Sequence, residues 1–155
     1  MSQVLIVYYS RTGNTEAMAR AVALGVKSGG LEARVKRVDY TTAYDLMSAD
    51  AVAFGSPCYF GYMAGILKDF FDRILEGAIL KNLEGKPAVA FVSDGETDGG
   101  KDALSSIEKL MAYLMLRKVA DGVVCRGKPG RANIEECKKL GAALAQAAKK
   151  RKPKD

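Results

Sequence analysis

The strongest constraint on the fold is an alternation of two apolar patterns. Short β-branched and aromatic runs, Val4 to Tyr9, Ala51 to Phe54, Ala88 to Val92 and Val119 to Cys125, are apolar at successive positions. Such runs suit strands covered on both faces of a sheet. Between them lie stretches of helical period. Met18, Ala21, Val22, Gly25 and Val26 share one face, as do Met63, Leu67, Phe70, Phe71 and Ile74. The same spacing groups Leu104, Ile107, Met111, Leu114 and Met115, and again Cys137, Leu140, Gly141, Leu144 and Ala148. Strand followed by helix five times requires right-handed crossovers, hence an α/β doubly wound parallel sheet of five strands with helices on both faces.

One strand is different. In Leu31 to Val38, Leu31, Ala33 and Val35 alternate with Glu32, Arg34 and Lys36, the half-polar pattern of an edge position. An outermost second strand favours the order 2-1-3-4-5, in which ligands sit beyond the carboxyl ends of the strands, between strands one and three. The loops after Tyr9, Gly55 and Val92 are therefore the candidates for chemistry.

At 155 residues, 48% hydrophobic and 27% charged, the chain can bury one core. We expect a single domain over 1–148 and a basic tail over 149–155. No stretch is long and apolar enough to span a bilayer, and the N-terminus lacks a basic segment before its apolar run, so a soluble, cytoplasmic protein without a membrane partner is expected. The net charge is +6, of which +4 sits in Lys149 to Asp155. A basic tail on a nearly neutral body does not make the basic face that nucleic acid requires, and no such partner is expected. The chain has no His, and its three cysteines form no C-x-x-C pair, which removes Cys/His zinc sites and imidazole general bases.

The first loop reads Ser10-Arg11-Thr12-Gly13-Asn14-Thr15, with a helix expected to begin near Asn14 or Thr15. A glycine that lets amides turn inward, a helix start and surrounding hydroxyls make a phosphate cradle. A helix cap needs only one such residue. The mostly neutral groups suit a phosphate monoester held by hydrogen bonds rather than a triphosphate clamped by Lys and magnesium. The second loop, Ser56-Pro57-Cys58-Tyr59-Phe60-Gly61-Tyr62, concentrates aromatics that can stack on a planar ring. The third, Ser93-Asp94-Gly95-Glu96-Thr97-Asp98-Gly99-Gly100, is glycine-rich, so its backbone can approach a flat ligand.

Ser10-x-Thr12-Gly13-Asn14-Thr15 resembles the FMN phosphate loop of flavodoxins, the family in which this strand order places FMN at the switch point. The stretches YYSRTGNTEAMARAVALG, VKRV and FGSPCYFGYMAGILKDFFDR also resemble the tryptophan-repressor-binding-protein-like NAD(P)H:quinone oxidoreductases, a flavodoxin-fold branch. The resemblance implies that Ser10, Arg11, Thr12, Gly13, Asn14 and Thr15 hold the FMN phosphate. It further implies that Ser56, Pro57, Cys58, Tyr59, Phe60 and Gly61 belong to the second binding loop, with Pro57 to Gly61 lining the isoalloxazine, and that Ser93, Asp94 and Gly95 border its pyrimidine side. The reductase branch carries a Trp after the second-loop helix, a His after the third loop and a long insertion before the last helix; this chain has no Trp, no His and only Arg126 to Ala132 in that last place. Electron carriage through FMN is therefore the expected function, without a catalytic side chain, and an NAD(P)H-dependent quinone or flavin reductase is the alternative. The matching partners are a redox protein, or NAD(P)H and quinone, and the protein is expected as a monomer or homodimer.

Three further patterns compete. Gly95 to Lys101 matches a nucleotide P-loop, but Asp102 replaces the Ser or Thr that follows. Asp94, Glu96, Asp98 and Gly99 mimic a calcium loop whose twelfth position is Ser105 instead of Glu. Cys125 to Arg131 matches the C-x-x-x-x-x-R cradle of cysteine phosphatases, a remote alternative using Cys125 and Arg131. The acidic third loop carries its own expectation. A carboxylate about 6 Å from the flavin N1 would disfavour negative charge on the ring by roughly 3 kcal/mol at an effective dielectric near 20.

Overall fold

The computed structural model describes residues 2–95 and 98–151. The apolar run at the N-terminus forms β1 (Gln3–Tyr8), the centre of the sheet's first half. It pairs in parallel with β2 (Glu32–Arg37) on one side and with β3 (Ala51–Tyr59) on the other, and β3 pairs in parallel with β5 (Pro87–Asp94). The half-polar β2 lies at the edge, with Ala33 and Val35 packed inward as their spacing predicts.

Beyond β5 the structure departs from a simple fifth strand. The final ladder is split into β6 (Arg117–Lys118) and β7 (Val123–Arg126), both parallel to β5. The interruption contains Asp121 and Gly122, residues poorly suited to strands. Gly122 packs so closely that a Cβ there would lie 2.5 Å from Leu104 Cδ1 and 2.7 Å from the Ala90 carbonyl oxygen. A second addition is β4 (Tyr62–Met63), antiparallel to the end of β3. The turn between them places Phe60 and Gly61 at φ 56° and 72°, the left-handed pair that a tight hairpin needs. The second sequence loop is thus largely a hairpin, and Met63 reaches the core from β4 instead of a helix.

The strand pleat sends Leu5 and Val7 to one face and Val4, Ile6 and Tyr8 to the other. The second face is covered by α1 (Asn14–Ser28) and α6 (Arg131–Lys150). The first is covered by α2 (Ala43–Ser48), α3 (Gly65–Arg73), α4 (Gly77–Leu83) and α5 (Gly100–Tyr113). The short helices α2 and α4 carry no long periodic stripe and escape a reading by periodicity. Met115 leaves the stripe expected of it: α5 ends two residues earlier, Leu116 N–H returns to the Met111 carbonyl, and Met115 sits exposed at φ 62°. Helix α6 runs to Lys150, two residues into the expected tail, and residues 152–155 lie outside the described part.

Helices α1 and α6 meet through glycine. A Cβ on Gly25 would lie 1.9 Å from the Lys138 carbonyl oxygen, and one on Gly141 2.0 Å from that of Val22. This close approach seats α1, and with it the loop at its N-terminus, firmly on the sheet.

Candidate functional site

The carboxyl ends of β1, β3 and β5 open into a cleft of about 420 Å³, within the range of small-molecule sites. Its walls are Arg11, Thr12, Asn14 and Thr15 from the first loop, Pro57, Cys58 and Tyr59 from the end of β3, and Ser93, Asp94 and Gly95 from the end of β5. The three loops singled out in the sequence meet here because β3 lies between β1 and β5, and α1 crosses toward β5. The crossing is fastened by a 2.6 Å hydrogen bond between the buried hydroxyls of Thr15 and Ser93.

Helix α1 begins at Asn14 after Gly13, whose φ of 98° suits glycine. Although four residues of capping type surround this start, no side chain among the described residues caps it. Ser10 Oγ instead accepts from Gly13 N–H at 3.1 Å, and Thr15 is engaged with Ser93. The N–H groups of Asn14, Thr15 and Glu16 lie in the first turn, where no intrahelical carbonyl reaches them. A 15-residue helix thus presents uncapped amides and its positive end at the cleft, an arrangement that a bound anion completes. The hydroxyl oxygen of Tyr59, also on the wall, is buried without a hydrogen-bond partner among the described residues. Uncapped amides, a buried unpaired phenol and an apolar wall fit a phosphate monoester joined to a ring, the pattern that FMN has.

Five of the expected residues lie elsewhere than on the cleft wall. Ser10 is buried behind the loop and Gly13 forms its turn. Ser56 is fully buried; its hydroxyl accepts from Ala64 N–H at 2.8 Å and donates to the Pro57 carbonyl, closing the hairpin. Phe60 is wholly exposed at the hairpin tip beside Gly61, so the aromatic wall is made by Tyr59 alone. The hairpin is braced from the third loop and from α5: a Cβ on Gly99 would meet Gly61 Cα at 3.0 Å, and Met63 N–H donates to Ser106 Oγ at 3.1 Å.

The acidic loop is partly neutralised by its surroundings. Asp94 Oδ2 accepts from Gly100 N–H at the start of α5 at 3.0 Å, and Asp98 pairs with Arg126 at 3.2 Å on the surface. Glu96 and Thr97 lie outside the described residues. One contact of the first loop has no counterpart in the motif: Arg37, at the end of β2, donates to the Ser10 carbonyl. It stands 27 residues from its target, and only strand pairing brings it there.

The phosphatase alternative does not survive the geometry. Cys125 is fully buried, burial raises its thiol pKa, and its Sγ donates weakly to the Gly127 carbonyl, whereas phosphoryl transfer needs an accessible thiolate. Arg131 is exposed at the start of α6.

A family model described as flavodoxin matches residues 6–141. A flavodoxin of Aquifex aeolicus is 37% identical over 94% of this chain and 86% of the relative. An NAD(P)H dehydrogenase (quinone) of Archaeoglobus fulgidus is 30% identical over 97% of this chain and 99% of the relative. Among solved structures, a flavodoxin from the domain Archaea superposes with a TM-score of 0.84 at 27% identity, covering 95% of this chain and 99% of the other. A WrbA-like flavodoxin of Agrobacterium tumefaciens reaches 0.85 at 23% identity, covering 98% and 100%, and shares the fold.

Proposed function

The chain belongs to the flavodoxin family, whose members are FMN-binding redox proteins, and from that premise we propose that it holds FMN in the cleft beyond β1, β3 and β5 and carries electrons through it. The observation that carries the site assignment is the uncapped start of α1 facing the cleft. When bound, FMN supplies the redox chemistry, and the chain's residues supply binding, orientation and electrostatics.

In this reading the first-turn amides and the hydroxyl of Thr12 bind the phosphate. The Thr15–Ser93 hydrogen bond sets the spacing between the phosphate and ring ends of the site. Pro57, Cys58 and Tyr59 exclude water from one side of the ring, and the backbone around Asp94 and Gly95 borders its polar edge. No side chain needs to transfer a proton, which accords with a chain without His. Exchange of electrons with a partner protein, in the cytoplasm, belongs to the same proposal.

The Archaeoglobus relative, matched over both chains, favours a second reading, reduction of the flavin by NAD(P)H for transfer to a quinone. Anaerobic stopped-flow mixing of holoprotein with NADH and NADPH separates the two. A carrier leaves the flavin oxidised over many seconds; bleaching on the millisecond scale would overturn carriage in favour of the reductase. The site itself is tested by offering purified apoprotein FMN. Quenched flavin fluorescence and a yellow protein after gel filtration are expected, and a colourless protein would refute the assignment.

A further inference from the structure

Arg37 is the structure's addition to the first loop. It ends edge strand β2 opposite Tyr8 of β1. From there its NH1 donates to the Ser10 carbonyl at 3.2 Å, its Nε donates to Asp39 Oδ1 at 3.2 Å, and its guanidinium lies 5.4 Å from the centre of the Tyr9 ring. Asp39 and the ring hold the fork in one orientation, so the remaining donors are aimed before any ligand arrives.

We propose that Arg37 is a positioning residue of the phosphate loop, which turns the Ser10–Arg11 peptide so that the Arg11 N–H faces the cleft and favours a phosphorylated flavin over an unphosphorylated one. The inference rests on the FMN reading of the cleft. A loop that binds an anion through its amides must turn its carbonyls outward, and a carbonyl held away from water, as in the buried Ser10, needs a donor. The chain has no cis peptide among the described residues, so the Ser10 carbonyl and the Arg11 N–H point in opposite directions across one planar unit. A donor fixed on the outer side of Ser10 therefore leaves the Arg11 amide on the inner side, where Arg11 lines the cleft. At the other end of the loop, Ser10 Oγ holds Gly13 N–H, so both ends of the turn are tied before the helix begins.

The test is a titration of apoprotein with FMN and with riboflavin, followed by quenching of flavin fluorescence, for wild type, R37M and R37K, at low salt and at about 0.5 M. R37M removes the donor and keeps most of the volume. We expect it to weaken FMN by about five- to tenfold, the worth of one hydrogen bond, at both salt concentrations, with riboflavin unchanged within about twofold. R37K keeps one donor able to reach the carbonyl and should recover part of the loss. The inference fails if R37M binds FMN within twofold of wild type, if FMN and riboflavin weaken together, if the deficit vanishes at high salt, or if R37K recovers nothing. Wild-type apoprotein that does not bind FMN would refute the reading of the cleft instead, so the two failures are distinguishable.

Discussion

The contact of α1 with α6 is the most exacting test of how packing supports the site. In Gly141→Ala the new Cβ would stand 2.0 Å from the Val22 carbonyl oxygen, 2.9 Å from its carbon and 3.0 Å from Val26 N, all backbone atoms on the buried face of α1. Real Cβ contacts essentially never fall below 3.0 Å, so the helices must part by about 1 Å. A gap of that size forfeits roughly a quarter to a half of each dispersion contact across the seam, where Val22, Val26, Cys137, Leu140 and Leu144 are buried. Overpacking costs about 1–3 kcal/mol, and about 2–3 kcal/mol where a Cβ meets backbone atoms; the better helix propensity of Ala returns about 1 kcal/mol, for a net loss near 1–2 kcal/mol. At about 2–4 °C per kcal/mol for a chain of this size, thermal unfolding of the apoprotein should move down by roughly 2–8 °C. Gly25→Ala should behave alike, and because one separation relieves both clashes, the double variant should lose less than the sum. Gly65→Ala, whose Cβ would meet nothing within 4 Å, is the control and should not destabilise. An unfolding temperature for Gly141→Ala equal to or above that of wild type would refute the argument.

Other perturbations reach the site and its supports. Thr15→Val leaves the Ser93 hydroxyl buried without its partner and should cost about 1–2 kcal/mol in urea unfolding; the double variant with Ser93→Ala should cost less than the two singles combined, and full additivity would mean that the bond is not formed. Asp45 is nearly buried. Burial would raise its carboxyl pKa, but hydrogen bonds from Lys36 and from Thr42, with which it forms a capping box, outweigh that and hold it below the usual range. A lowered folded-state pKa stabilises above the unfolded value and is lost as pH falls through the folded one. Stability of wild type should therefore drop below about pH 4 more steeply than that of Asp45→Asn, measured by urea unfolding across pH; parallel curves would contradict it. Burial pushes the Cys137 thiol up to about 12 and raises that of Cys125 too, while Cys58 lines the cleft, so a disulfide reagent should titrate one thiol in native apoprotein. Bound FMN should slow that reaction, and rapid labelling of all three thiols would refute the burial argument.

Much of the architecture is legible in one dimension because burial imposes a period. The doubly apolar run of β1, the half-polar β2 and the stripe of α6 each declare what covers them, and together they imply the sheet order and the end of the sheet where the cleft opens. The first loop is legible for a related reason: a strand, a turn and a helix start are local, and the phosphate site proposed there draws on backbone geometry encoded by neighbouring residues. Where the pattern failed, the deciding interactions were between distant segments or lacked a period. Ser56 and Pro57 are adjacent in the chain, yet only the hairpin turns one under Ala64 and the other into the cleft. At the split of the last strand, Gly122 lies close against Leu104 and the Ala90 carbonyl, neighbours that the sequence does not announce.

Periodicity and turn chemistry alone determined that this chain forms a parallel α/β sheet with a helix that starts from a glycine turn after its first strand, since those traits follow from which faces must leave water and which residue can adopt the turn. Only the tertiary structure decided that Thr15 would spend its hydroxyl on Ser93, that Phe60 would stand clear of the cleft, and that Arg37 would reach the loop from the edge strand. Such contacts arise when separate elements are brought together in register, and no local pattern of hydrophobicity records the pairing.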